Sequence, residues 1–527
     1  MAVLSRLSNH VLVGLTFISL IYAAPATAAM SATDGQRLKT LFSDMVEHYR
    51  NEAKLQGGDL LTEGPVMVEP GDNYFAITLP HLTALSADGT KINIGMIAIN
   101  AVPGDQTQEW KMTLAMPTPI TLYDAKGRES GVLEIGSQNF AGVFHESFKN
   151  FVRLNAQYKD ISFYDPVGKA KITIADSKAI YDLKQGSNKL WSGPMKLTAS
   201  NIQGIFGSSG AAGKIASINL DSTVKDYSIE EANAYNEKME ALLESLEVDS
   251  PSVSSPHAVG IYNTVFDYLT TVWDGFGSDF TINGMEFMTP ATADKPASTF
   301  KVGKVGFGFM ADGLKSNKVM LHPTLTLSGL TITPPPAALD QIAPDSLNLD
   351  LALNNLPLKQ LSELGKKSLE QSTQSPESGA LVMQNTVAMA QKLLTDAGAT
   401  IKVVNTGASK SDQYDLSLNG SAAANIQALL GGTAKLRLEV FGLETILASL
   451  QAIANDPATS AENKVSASNA LQALTFLQVV GQQGTNAKGQ PIRSYDVEVT
   501  ADGKQLLNGT DLMSIIGGGM GGAAPTP

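Results

Sequence analysis

Short runs in which apolar and polar residues alternate, punctuated by turn residues, constrain this chain more than any other feature. From Gly64 to about Val224 they include Phe75-Ala-Ile-Thr-Leu79, Lys91-Ile-Asn-Ile-Gly-Met-Ile-Ala-Ile99, Lys111-Met-Thr-Leu114 and Lys171-Ile-Thr-Ile174. A period of two sends one set of side chains to each face of a strand, so one face is buried and the other wet, as in antiparallel sheets. Phrases such as Ala87-Asp-Gly-Thr90 and Asp124-Ala-Lys-Gly127 supply the turns. No strand–helix–strand rhythm runs through the chain, which disfavours Rossmann-like and α/β-barrel enzymes.

Composition narrows the chemistry. The 527 residues are 43% apolar and only 17% charged, enough to build sizeable cores and too polar for a polytopic membrane protein. Length alone suggests about two to four domains. A formal net charge of −13 argues against binding nucleic acid through phosphate contacts. There is no cysteine, which excludes disulfides, thiol nucleophiles, Cys-ligated zinc and iron–sulfur clusters.

The first thirty residues read as a bacterial secretory signal peptide. Arg6 supplies the positive start, Val11 to Ala24 is a short apolar run, and Pro25 ends it. Ala26-Thr27-Ala28 fits the small-x-small cleavage pattern, which would leave Ala29 as the new N-terminus. A transmembrane anchor is the alternative. The run would span only about 21 Å as a helix, short of the roughly 30 Å hydrocarbon core, so cleavage is the expectation. A soluble or peripheral periplasmic protein follows, with no later transmembrane span.

Helical periodicity marks Thr33 to Gln56, with Leu38, Leu41, Phe42, Met45, Val46 and Tyr49 on one face, Thr33 or Asp34 as cap, and Gly57-Gly58 at the end. A second helix begins at Ser228, which forms a capping box with Glu231. Tyr262 to Trp273 reads as mixed. Strand character returns at Phe300 to Phe309, Thr324 to Leu327, Leu330 to Ile332 and Leu347 to Leu353. Helices are expected over Leu358 to Gln371, Ala380 to Ala397, Leu443 to Ala454 and Ala461 to Val480. The strand–glycine–strand–helix phrase at Leu416 to Leu450 has a looser echo at Leu325 to Leu364, which suggests a duplicated unit.

The expected organisation is a signal peptide over 1–28, a β-rich domain with flanking helices over 29–249, and a linker plus β segment over 250–336. A C-terminal α+β domain over 337–516 and a disordered tail over 517–527 complete it. The Ser/Pro-rich stretch Asp249 to Pro256 and the run Pro334-Pro-Pro336 mark the boundaries. The fold class is α+β: β-rich, with antiparallel twisted sheets, helices packed on one side, and an elongated body of two or three segments.

Motifs for chemistry are sparse. Gly207-Ser-Ser-Gly-Ala-Ala-Gly-Lys-Ile215 fails as a phosphate loop, because Ser208 and Ile215 replace the required glycine and hydroxyl. A surface loop is the plainer reading. Gly303-Lys-Val-Gly-Phe-Gly-Phe309 reads as a bulge or close strand packing. Beyond His10 in the signal, His48, His81, His145, His257 and His322 are scattered, and His145-Glu146 lacks the second histidine of a zinc helix. No metal and no cofactor is expected, and no catalytic residue is assigned. Ser209 lacks the spacing of a nucleophile elbow. Met67, Met96, Met112, Met116, Met195, Met285, Met288 and Met310 lie in or beside strand-like runs. They suit either ordinary core filling or an apolar groove for acyl chains.

The phrases Leu416-Ser-Leu-Asn-Gly420, Gly431 to Leu443 with its helix, and Ala501 to Gly509 resemble two groups of exported proteobacterial proteins, over roughly residues 320–515. These are the YdgA-like proteins of unknown function and the related AsmA-like envelope proteins. The resemblance implies an envelope location, a long curved β-rich body and, for the AsmA-like proteins, lipid handling. It supplies no catalytic residue. Those proteins usually keep an N-terminal membrane anchor, from which this chain departs.

The expected function is therefore that of a non-enzymatic exported envelope protein binding a lipid or other amphiphile in an apolar groove. A structural or partner-binding periplasmic protein is the second reading, and a hydrolase the third.

Overall fold

A computed structural model describes residues 31–244, 256–293, 295–334, 342–374, 379–411, 413–457, 459–486 and 489–515. The expected cleavage residues Ala26, Ala28 and Ala29 lie outside these, as do most of the Ser/Pro-rich stretch, Pro335-Pro336 and the expected tail. The protein is half strand and about a quarter helix, and its sheet is antiparallel and open. It divides into two compact units. One runs to Asn188 and adds Ser192–Thr223 and Thr281–Thr299. The other takes Lys189–Trp191, Val224–Phe280 and the chain from Phe300 onward.

Helix α1 (Ala32–Leu55) opens the described chain. Nine strands follow: β1 (Asp59–Glu63), β2 (Met67–Pro70), β3 (Phe75–Thr78), β4 (His81–Leu85), β5 (Lys91–Gly95), β6 (Ala98–Pro103), β7 (Glu109–Ala115), β8 (Ile120–Tyr123) and β9 (Glu129–His145). Then come β10 (Asn150–Tyr164), β11 (Lys171–Asp182), β12 (Lys184–Gln185), β13 (Trp191–Phe206) and β14 (Ala211–Tyr227). Two helices, α2 (Ile229–Glu244) and α3 (Pro256–Thr271), precede β15 (Gly275–Thr289), β16 (Ser298–Asp312), β17 (Val319–Ser328), β18 (Thr331–Thr333) and β19 (Ser346–Leu356). Helices α4 (Leu358–Gln374) and α5 (Gly379–Ala397) lead to β20 (Thr400–Lys410), β21 (Tyr414–Ala424) and β22 (Gly432–Phe441). The chain closes with α6 (Leu443–Asn455), α7 (Ala461–Val480), β23 (Gln482–Thr485), β24 (Pro491–Val499), β25 (Gln505–Leu507) and β26 (Thr510–Asp511).

In the first unit β9 organises the pairing. Along one edge it pairs with β10 over its full length. Along the other it pairs first with β8 and then, beyond a gap, with β7. Two ribbons thus meet on it, β1–β4–β5–β8 and β2–β3–β6–β7. Side chains satisfy the backbone in the gap. The Gln138 amide donates to Met116 O at 3.0 Å and accepts from Met116 N at 3.3 Å, while Thr118 Oγ1 accepts from Ile135 N at 3.0 Å. Helix α1 lays Leu38, Phe42 and Met45 into the core beside Phe75, Trp110, Phe140 and Phe144. Its start is tied down twice. The Arg37 guanidinium lies 2.8 Å from Glu146 and covers the Trp110 ring at 5.4 Å. Trp110 Nε1 also donates to Glu146 Oε1 at 2.5 Å.

The second unit carries an antiparallel succession β16–β17–β19–β20–β21–β22–β24–β25–β26. Helical hairpins interrupt it after β19 (α4, α5) and after β22 (α6, α7). The second of these packs Leu447, Leu474 and Leu477 against Leu416, Leu438, Val440 and Tyr495. The Tyr495 hydroxyl donates to Leu477 O at 2.9 Å, fastening helix to sheet.

Three local expectations are corrected. The cap of α1 is Ser31 rather than Thr33 or Asp34, its Oγ accepting from Asp34 N at 3.1 Å. Tyr262 to Trp273 is mostly helix: α3 runs to Thr271, with Asn263, Asp267 and Thr270 along one side at helical spacing. The stretch 207–215 is loop-like only over its first four residues, a tight turn, and the rest belongs to β14. A 3₁₀ turn over Gly207–Ser209 ends at Gly210 (φ +69°), and β14 starts at Ala211. At Ser228 the hydroxyl accepts from Glu231 N at 3.3 Å as expected, while its own N–H goes to Val272 O at 2.8 Å.

Phe140 is fully buried and meets Phe151 edge-on at 4.8 Å. Phe140→Ala is expected to cost about 3–5 kcal/mol through lost burial and a residual cavity. A lowered urea midpoint with an unchanged slope would show this. A change below about 1 kcal/mol would mean that the core collapses around the gap.

Candidate functional site

Register across the second unit gathers the alternating runs into one apolar face. Antiparallel partners share a face. Val305 pairs with Leu327, Phe307 with Leu325 and Ala311 with Leu321. Leu321, Leu325 and Leu327 pair in turn with Leu353, Leu349 and Leu347. Leu347, Leu351 and Leu353 lead to Ala408, Val403 and Ile401. Leu416 and Leu418 then face Val440 and Leu438, and Leu438 faces Tyr495. Seven strands from β16 to β24 therefore present mainly leucine, valine, isoleucine, phenylalanine, tyrosine and alanine on one side.

The other side is polar. Thr326 donates to Asn348 at 3.2 Å, Asn348 donates to Asn405 O at 2.7 Å, and Arg437 pairs with Glu439 at 2.9 Å and Asp496 at 3.2 Å.

Bulges keep the two sides in phase. Between Val403 and Thr406, β20 holds one residue more than β21 opposite it. The extra residue is accommodated at Asn405 (φ +47°), whose N–H is taken by Asn419 Oδ1 at 2.8 Å. Without it the first half of β20 would turn Lys402 toward the apolar face.

Coverage of the apolar face is uneven. Around β21–β24 it lies under α6 and α7. At the far end of β16 and β17, Phe309 and Leu321 pack with Trp273, Phe276 and Leu358. Between these, Phe307 is 55% exposed, Ile401 44% and Leu325 42%. On the opposite, polar side a depression of about 370 Å³ crosses β17, β19, β20 and β21, lined chiefly by Thr326, Ser328, Asn348, Ser409, Asp415 and Ser417.

The residues singled out in the sequence sit mostly elsewhere. Met112 and Met116 fill the core of the first unit, whereas Met67, Met96, Met288 and Met310 are exposed. Gly308 is required by crowding, since a Cβ there would meet both Asp279 and Thr324. Ser209 Oγ donates to Phe206 O at 2.8 Å and accepts from Ala211 N at 3.3 Å, which fastens the turn. Lys214 pairs with Glu286 at 2.9 Å from within a strand.

His322 Nε2 lies 2.7 Å from Asp350 Oδ1, and His48 Nε2 lies 3.6 Å from Glu52 Oε1 along α1. No hydroxyl is bonded to the His322 imidazole among the described residues. No group of three metal-ligating side chains gathers among them either. No described helix is long and apolar enough to cross a membrane. No family model, no curated protein and no solved structure matches the chain.

His145 provides a pH test of the fold. Burial pushes its pKa below the ordinary 6.5, against the opposing pull of Glu109 and Glu146. The folded state therefore takes up its proton later than the unfolded state. Its contribution is full above about pH 6.5 and is lost as pH falls toward the depressed value. The urea midpoint is expected to drop between pH 7 and pH 5 in the parent chain and to drop less in His145→Gln. Equal slopes would exclude His145 as the source.

Proposed function

We propose that this is a non-enzymatic exported envelope protein that holds a lipid or other amphiphile against the apolar face of the β16–β22 sheet. The half-exposed middle of that face, Phe307, Leu325, Leu347 and Ile401 on four adjacent strands, carries the reading. Contiguous exposed apolar surface rimmed by polar residues marks binding surfaces in soluble proteins. Each methylene of a bound chain that left water there would contribute about 0.8 kcal/mol before the costs of association. Export is supported by the sequence of residues 6–29, and the envelope setting by the resemblance over roughly 320–515.

A specific observation favours a second reading, a partner-binding protein. In α5, Leu381, Met383, Val387 and Met389 are all exposed, Met383 by 70%. Met383 and Val387, one turn apart, share a side of this helix and offer an apolar contact to a partner.

Native mass spectrometry of protein purified gently from its host, followed by organic extraction, separates the two. The first reading expects a stoichiometric amphiphile that Leu325→Glu with Leu347→Glu removes while the far-ultraviolet spectrum stays unchanged. An apo mass in the parent chain, or a ligand that the double variant retains, overturns the sheet face as the site. Loss of a co-purifying protein in Met383→Glu would support the partner reading.

A further inference from the structure

The first unit contains a cleft of about 430 Å³ at the ends of β11, β13, β14 and β15. This lies within the roughly 300–1,000 Å³ of small-molecule pockets. Lys171 pairs with Ile205 and Thr173 with Gln203, so these four side chains share one face.

Gly204 and Gly213 contribute backbone between them, and by strand alternation a side chain at either position would point to the reverse face. Glycine is enforced from the reverse face, where Phe206 packs against Phe287 at 5.8 Å. A Cβ on Gly204 would come within 2.7 Å of the Phe206 ring, and one on Gly213 within 3.3 Å of Phe287.

Its charge does not balance. Lys214 and Glu286, 2.9 Å apart, neutralise each other. Lys171, exposed at the start of β11, makes no ion pair among the described residues. One cation therefore faces the cleft uncompensated, in a chain of formal net charge −13. Thr173 and Gln203 add neutral hydrogen-bonding groups next to it. Ile205 and Met288, 52% and 46% exposed, add an apolar wall. Methionine suits chains of variable shape.

We propose that this cleft binds an anionic amphiphile. The carboxylate or phosphate head lies on the Lys171 ammonium with Thr173 and Gln203 beside it, and the apolar chain lies along Ile205 and Met288. This goes beyond the sheet-face reading: it concerns the other unit and stands whether or not that face carries a ligand.

Titration calorimetry on the full chain tests it, using decanoate, decyl phosphate, decanol, acetate and inorganic phosphate below micellar concentrations. Decanoate or decyl phosphate is expected to bind one to one, and the stronger of the two identifies the head group. Decanol should bind at least tenfold more weakly, and acetate and inorganic phosphate not measurably. Lys171→Gln should bring the anionic amphiphile down to the level of decanol. Met288→Ser should weaken decanoate and decanol alike. Lys171→Gln lies on an exposed side chain, and an unchanged urea midpoint verifies that it folds. Equal binding of decanol and decanoate overturns the proposal, as does decanoate binding that Lys171→Gln leaves intact. Binding lost in Leu325→Glu but kept in Lys171→Gln would also overturn it and assign the ligand to the sheet face instead.

Discussion

An antiparallel strand with an apolar residue at every second position cannot be left in water on both sides. Everything else in this protein answers that constraint. In the first unit the two ribbons that meet on β9 fold around their apolar sides, and α1 closes the remainder with Leu38, Phe42 and Met45. In the second unit α6 and α7 cover one end of the face, and the residues around Trp273 cover another. The helices are short hairpins inserted between neighbouring strands, so each covers a few strands and none covers the whole face. What remains in the middle is a half-exposed surface, and the functional reading begins from it.

The same constraint explains the distribution of polar chemistry. Ion pairs and amide ladders occupy the opposite sides of the strands, where they sit mainly in solvent. Lys225, held protonated by Asp312 and Asp274 at 2.7 and 2.9 Å, is one example. Arg437 with Glu439 and Asp496 is another. Pairs as exposed as these contribute little stability. Their value lies in setting register and in keeping one side of the sheet from associating with other apolar surfaces. The Arg37–Glu146–Trp110 cluster differs because it joins a helix to a sheet distant in sequence.

Strand by strand, much of this was legible in the sequence. Lys171–Ile174, Leu347–Leu353 and Tyr495–Val499 all lie within strands, and α7 spans the expected Ala461 to Val480. The turns at Asp88 and Asp124 form through their own side chains, which accept from Thr90 N and from Arg128 N. Local patterns could not supply what depends on partners. Helix α3 is short of charged residues, with Asp267 alone between Pro256 and Thr271, so its polar side is made of Asn and Thr that a strand would also accept. The face joining Phe307, Leu325, Leu349 and Ile401 exists only once register is fixed across strands up to about a hundred residues apart. The methionines that stood out by type do not gather at one place: Met112 and Met116 fill the core, while Met67, Met96, Met288 and Met310 are exposed. The cleft of the first unit has weak sequence signals, two glycines opposite Phe206 and Phe287 and a lysine at a strand start, none of which speaks alone.

The bulge at Asn405 carries a consequence for how such a chain can change in length. In a two-sided strand each residue added or removed exchanges inside for outside along the rest of that strand. Asn405 is a single added residue tolerated because its backbone adopts a left-handed turn and Asn419 receives its N–H. Point insertions elsewhere in these strands would therefore be purged unless a second one restored the phase, whereas the hairpin helices could lengthen by whole turns. Divergence in length within this architecture is thus channelled: even-numbered steps within strands, and freer growth in the connections between them.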